Sequence, residues 1–180
     1  AVTLPNAGKR YMAMQVINQD EYTPMVVYKP GPVTLSRANV GTRYGMALIR
    51  TLVDPNDPKD LAEVHKLQDA IKAAQKSQGK FEMPNWDEAS HKKVKDALLV
   101  LASTLPSFRG SFGARGEVNP IHHLIGAAAG WGGNPDKDAI YLGVVPKNND
   151  GSGVYKLTVK NVPVEGFWSI SVYNEQGYFE

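Results

Sequence analysis

The chain of 180 residues contains no cysteine. Disulfides, thiolate nucleophiles and cysteine-based zinc sites are excluded together. The compartment stays open, because many periplasmic proteins also lack cysteine. No sign of charge dominates: 20 Lys and Arg stand against 18 Asp and Glu, for a net charge of +2. Without a Lys/Arg stripe to follow a phosphate backbone, nucleic acid is not an expected partner. Long apolar runs are missing too, so no span of the ~20 residues that a membrane helix needs is expected. No signal peptide, internal repeat or low-complexity tract is visible. The chain starts at Ala1 rather than Met, which suggests processing or a fragment.

What is present is apolar enough for a core: 42% of residues are hydrophobic. The front reads as sheet. AVTL is a short strand, and YMAMQVI (11–17) is a strand apolar on both faces. Pro24 and Pro30-Gly31-Pro32 punctuate shorter strands near 25–28 and 33–35, and TRYGMALIRTLV (42–53) is a longer one. Arg43 and Arg50 on that strand must reach solvent or a carboxylate. The middle turns helical. Asp57-Pro58-Lys59-Asp60 places a cap, a first-turn proline and an acid in order, and the helix should fade by 77–79. Asn85-Trp86-Asp87-Glu88 starts a second helix, which Pro106 ends. The two are expected to pair as an antiparallel hairpin. PSFRGSFGARGE (106–117) reads as an exposed loop, and Asn119-Pro120 opens a short third helix. Strands are expected again at 138–145, 154–160 and 167–173, with a turn at NNDGSG (148–153) and another beginning at Asn174. In VYKLTVK, Tyr155, Leu157 and Val159 alternate with Lys156, Thr158 and Lys160.

The fold class is therefore α+β: antiparallel β-sandwich strands with an inserted helical hairpin and a short buried helix. The expected divisions are 1–54, 55–118 and 119–180. Outer strands would leave open edges for other strands or a second copy to cover, so a homo-oligomer is one expectation.

The richest stretch is HHLIGAAAGWGGNP (122–135). Ile121, Leu124, Ile125 and Ala128 make one apolar helix face. Gly126, Ala127 and Gly130 let another backbone approach, and Gly130 or Gly132 can take the left-handed conformation that closes a helix. His122 and His123 point about 100° apart on a helix. They lack the i, i+4 spacing that would place two ligands on one metal, so no metal site is expected. The glycines match neither a phosphate loop nor a dinucleotide fingerprint, and no cofactor is expected. No G-x-S-x-G elbow occurs; Ser107 and Ser111 fit a flexible loop, and Ser169 and Ser171 a strand face. Asp54, Asp57 and Asp60 are explained by turns and caps, while Asp136 and Asp138 precede a strand. Tyr11, Tyr28, Tyr44, Trp131, Tyr141, Trp168, Tyr173 and Tyr178 spread over the expected sheets, where aromatics fill cores or stack on flat ligands.

Two segments carry a resemblance. The tail, GWGGNPDKDAIYLGV followed by YKLTVKNVPVEGFWSISVYNEQGYF, resembles the bacterial domain of unknown function numbered 1214. The front, KRYMAMQVINQDEYTP and NVGTRYGMALIRTLVDPNDPKDLAEVHKLQDAI, is similar to its partner domain numbered 1254. The resemblance covers essentially the whole chain. It implies a bacterial protein, periplasmic or secreted, built on jelly-roll-like units with helices attached. It brings no activity and no catalytic residues. Members of this family begin earlier, with an Asn-Arg-Asp-Thr segment, and continue past the Gly-Tyr-Phe at 177–179, which implies a piece of a longer chain.

Three functions follow as expectations. The first is an extracytoplasmic binding or accessory protein taking a small polar or carbohydrate-like ligand with Arg43, Tyr44, His123, Trp131 and Trp168. The second is a hydrolase with His122 or His123 as general base, oriented by Asp136 or Asp138. The third is a structural subunit pairing through sheet edges.

Overall fold

A computed structural model describes residues 1–174. The chain separates into two units, the first from Ala1 to Tyr141 and the second from Leu142 onward. The first is mixed α+β, with two three-stranded antiparallel sheets and four helices. One sheet has the order β4-β1-β6, formed by Gly31–Val33, Val2–Leu4 and Lys72–Ala73. The other has the order β3-β2-β5, formed by Met25–Val27, Met12–Asn18 and Gly45–Thr51.

Alternation explains what lies between them. In β2, Met14 pairs with Val27 on one side and Ile49 on the other, and Val16 pairs with Met25 and Ala47. These side chains share a face and pack with Leu4, Val2 and Val33 of the opposite sheet into one core. The other face of β2 carries Ala13, Gln15 and Ile17. It is covered by the glycine turn after the last helix, where the Ile17 methyl would lie 3.2 Å from a Cβ placed on Gly132. Strand β2 is thus buried on both faces, as its lack of alternation suggested.

The helices follow their caps. Asp57 accepts Lys59 N–H and Pro58 opens α2 (Pro58–Asp69). Asp87 accepts Ala89 N–H and opens α3 (Glu88–Ala102). Asn119 accepts two amides and Pro120 opens α4 (Pro120–Ala129). A one-turn helix not anticipated from the sequence, α1 (Arg37–Val40), closes with a Ser36/Asn39 capping box and with Gly41 in the left-handed region.

Several expectations change. The packing partner of α3 is α4, so α2 and α3 do not form the expected hairpin. The connection between them pairs with β1 at β6 and is then held by Tyr44, which carries α3 away from α2. The 106–117 loop is not simply exposed: Ser111 and Gly113 are buried, and Thr23 N–H donates to Gly113 O at 2.9 Å. On α4 the buried face carries His123, Ile125 and Gly126, while Ile121 and Leu124 lie outside. Helix α4 is turned because Gly126 seats against Ser111, where a Cβ would come within 2.8 Å of the serine Cβ. Gly130 is extended; the left-handed residue is Gly132.

In the second unit no strand forms over 142–160 or 167–172 among the described residues. A strand requires a hydrogen-bonded neighbour, and alternation alone does not supply one. The Tyr155, Leu157 and Val159 side of 154–160 stands half exposed. The expected turn at 148–153 does form. Gly151 is left-handed, and the Asp150 carboxylate, held below its usual range by the Ser152 hydroxyl, also accepts Ser152 N–H. Residues 175–180, including Tyr178 and most of the expected final turn, lie outside the described residues.

Arg10 clamps α2 to the end of β5. It donates to Leu52 O and to both oxygens of Asp60, whose carboxylate also accepts Asp54 N–H. The guanidinium, with help from that amide, holds the Asp60 carboxyl at about 2, against an ordinary 3.8. A lowered folded-state value means stabilisation that is complete above the ordinary value and lost as pH falls toward about 2. Asp60→Asn should therefore lower stability at neutral pH, and its urea-unfolding midpoint should converge on the wild-type midpoint as pH drops through that window. Parallel titrations at several pH values check it.

Candidate functional site

The tight turn between β2 and β3 gathers more polar contacts than any strand demands. Asn18 builds it. Its Oδ1 accepts Asp20 and Tyr22 amides at 3.0 and 3.1 Å, and its Nδ2 donates to Val40 O at 3.0 Å. The tight reversal leaves Glu21 at φ 65, in the left-handed region that a non-glycine residue enters at a cost of about 1 kcal/mol.

Two sequence-distant segments close on this turn. From α4, His123 stacks on Tyr22 with ring centroids 3.9 Å apart. Its Nδ1 faces Ser111 O at 3.0 Å and its Nε2 faces Asp20 O at 2.9 Å. Neither ring nitrogen is open to a substrate, and a neutral ring can donate to only one of these carbonyls. From the preceding loop, Arg115 lies over the Tyr22 ring at 4.6 Å and bonds the Asp20 carboxylate at 2.6 Å. Beyond α4, Gly132 N–H donates to Glu21 Oε2 at 3.2 Å. Burial pushes the Glu21 carboxyl up; the Gly132 amide, the Trp131 side chain and His123 act against that rise. The Trp131 ring remains 58% exposed beside it.

The expected ligand residues fall in three places. His123 and Trp131 come together at the β2–β3 turn. Arg43 and Tyr44 hold the 80–82 segment instead: Arg43 pairs with Glu82 at 3.1 Å, and Tyr44 stacks edge-on with Phe81. Trp168 belongs to the second unit and is exposed. The suggested acids are occupied elsewhere. Asp136 accepts Gly110 N–H at 3.1 Å and lies 3.9 Å from Arg109. Asp138 accepts the Tyr28 hydroxyl at 2.6 Å, and burial together with that carboxylate pushes the phenol well up. His122, half-buried at the first turn of α4, donates its backbone amide to the Asn119 cap, and its ring makes no hydrogen bond among the described residues.

Sequence reasoning passed over Glu21, Tyr22, Arg115 and above all Gln15. Gln15 is 1% exposed and Arg50 donates to its Oε1 at 2.8 Å, an amide partner where a carboxylate or water was expected. Its Nε2 faces Thr23 Oγ1 at 3.1 Å, Gly132 O at 3.2 Å and Gly133 O at 2.9 Å. A lone amide inside an apolar strand was the available signal, because a buried polar group needs internal partners. Ser111, also passed over as loop, is fully buried with no partner for its hydroxyl, and it meets His123 through its carbonyl.

Among the described residues no three His, Asp or Glu side chains converge as metal ligands, and no helix is long and apolar enough to cross a membrane. No family model, curated protein or solved structure matches the chain.

Proposed function

We propose that this protein binds a small polar, carbohydrate-like ligand at the β2–β3 turn. The observation that carries the reading is Glu21. It is a carboxylate held in a strained backbone conformation, anchored by the Gly132 amide beside the exposed Trp131 ring. Residues held in sparsely populated backbone conformations cluster at ligand clamps and active sites. An aromatic face next to a carboxylate acceptor suits a sugar ring, with its apolar face and its hydroxyl donors. The hydrolase alternative loses support at His123, whose ring nitrogens both face backbone carbonyls.

The same proposal includes a place outside the cytoplasm, membership of the paired bacterial domains numbered 1254 and 1214, and a jelly-roll-like β-sandwich. The support for these is the sequence resemblance and the single apolar core shared by two antiparallel sheets.

The test is indole fluorescence during titration with glucose, N-acetylglucosamine, maltose and cellobiose. A saturable change with at least one sugar is expected, lost in Trp131→Ala and weakened at least ~10-fold in Glu21→Gln. Glu21→Gln should at the same time be no less stable than wild type at neutral pH. A raised carboxyl value favours the folded state only in acid, and that contribution is gone once pH passes the folded value. No saturable response to any of the four sugars would end the carbohydrate reading.

A further inference from the structure

The 74–87 connection between β6 and α3 has no helix or strand of its own, yet it is fastened at three points. Ala74 N–H donates to Ala1 O at 2.8 Å. The Tyr44 hydroxyl donates to Lys80 O and accepts Glu82 N–H, while Arg43 pairs with the Glu82 carboxylate. Asp87 then caps α3. Held this way, the connection presents Phe81, Met83 and Trp86 with 69%, 70% and 70% of their surface exposed. Three large apolar side chains within six positions are costly to leave in water without a use.

Charge says what covers them. Over 72–95, Lys72, Lys76, Lys80, Lys92, Lys93 and Lys95 outnumber Glu82, Asp87 and Glu88. Of the three carboxylates, Glu82 is neutralised by Arg43 and Asp87 is spent on the cap. Of the six lysines, only Lys92 is in an ion pair among the described residues, with Asp96. They are too dispersed along the chain to follow a nucleic-acid backbone, but in sequence they flank the exposed aromatics on both sides. Protein interfaces are depleted in lysine, whereas anionic lipid surfaces attract it and take Trp and Phe into the headgroup boundary.

We propose that this segment docks the protein on an anionic membrane surface, with Phe81, Met83 and Trp86 entering the headgroup region and the lysines facing lipid phosphates. The docking is independent of the ligand reading at the β2–β3 turn. It needs no spanning segment.

The experiment is co-sedimentation of the purified chain with phosphatidylcholine vesicles and with mixed phosphatidylcholine–phosphatidylglycerol vesicles. Binding to the mixed vesicles is expected, weakening as salt screens the lysines. Lys76→Gln and Lys80→Gln should each weaken it about 5-fold. Trp86→Ala should weaken it about 10-fold, and Trp86→Phe should retain most of it. These positions are exposed, so circular dichroism should show all four variants folded. A chain left in the supernatant with phosphatidylglycerol present would overturn the proposal. So would equal binding to both vesicle types, or Trp86→Ala binding as wild type does.

Discussion

Gly133→Ala is expected to destabilise the protein by about 2 kcal/mol, the scale of an overpacked core, and to lower its melting temperature by roughly 4–8 °C. The cause is a single contact. A Cβ at Gly133 would sit 2.3 Å from Phe112 Cγ and 2.5 Å from Cδ1, near the root of the ring rather than at a tip that can swing aside. Either the ring leaves its place under α4 or the 132–133 backbone retreats from Gln15. The second option breaks the hydrogen bonds that Gln15 Nε2 makes to Gly132 O and Gly133 O. A double-mutant cycle separates the routes. If the clash is with the ring alone, Phe112→Ala should cancel most of the added cost, leaving a coupling energy of about 1–2 kcal/mol. If the two changes simply add, Phe112 is not what requires a glycine here.

That glycine shows how the sequence and the structure divide the information. GWGG was readable as a site of close approach, because only glycine permits it. What approaches could not be read: Phe112 lies in a stretch taken for an exposed loop, and Ile17 stands 115 positions before Gly132. The caps at Asp57 and Asn119 were legible because capping is local chemistry; the start at Asn85-Trp86-Asp87-Glu88 was legible too, although the cap is Asp87 rather than the Asn85 whose acid stands three residues on. Strand β2 was legible because burial on both faces leaves a strand mostly apolar, Gln15 and the terminal Asn18 excepted. The hairpin of α2 and α3 failed for a non-local reason. Its connection finds β1 and Tyr44, and neither is visible from the helices' own periodicity. The second unit shows the same limit from the other side. VYKLTVK has the alternation of a strand, but a ladder is a property of two segments and no spacing within one records its neighbour. Of the candidate site, His123 and Trp131 came from composition. Glu21 acquires its character only from the turn's geometry and from Gly132, at opposite ends of the first unit.

Gln15→Leu should be the most damaging substitution outside the apolar core, at about 4 kcal/mol and roughly 10 °C in melting temperature. The shape is nearly conserved, so little is lost in packing. The loss lies in partners. Gln15 donates to two carbonyls of the glycine turn and accepts from Arg50; leucine strands Gly132 O, leaves Gly133 O only the Thr23 hydroxyl and takes the acceptor from Arg50. Each stranded buried group costs about 1–3 kcal/mol, more for a charged one. Gln15→Glu separates the donor from the acceptor role. The carboxylate keeps Arg50 and strengthens that bond, but it turns an oxygen toward the carbonyls of Gly132 and Gly133 where a donor stood. Its cost should be large at neutral pH and shrink in acid, where the protonated carboxyl can again donate to one carbonyl. Thermal unfolding of the three chains between neutral and mildly acid pH reads this directly. A Gln15→Glu cost that did not fall with pH would mean that Arg50, rather than the glycine turn, is what Gln15 is there to hold. The turn that positions Trp131 would then owe its place to Glu21 and Thr23 instead.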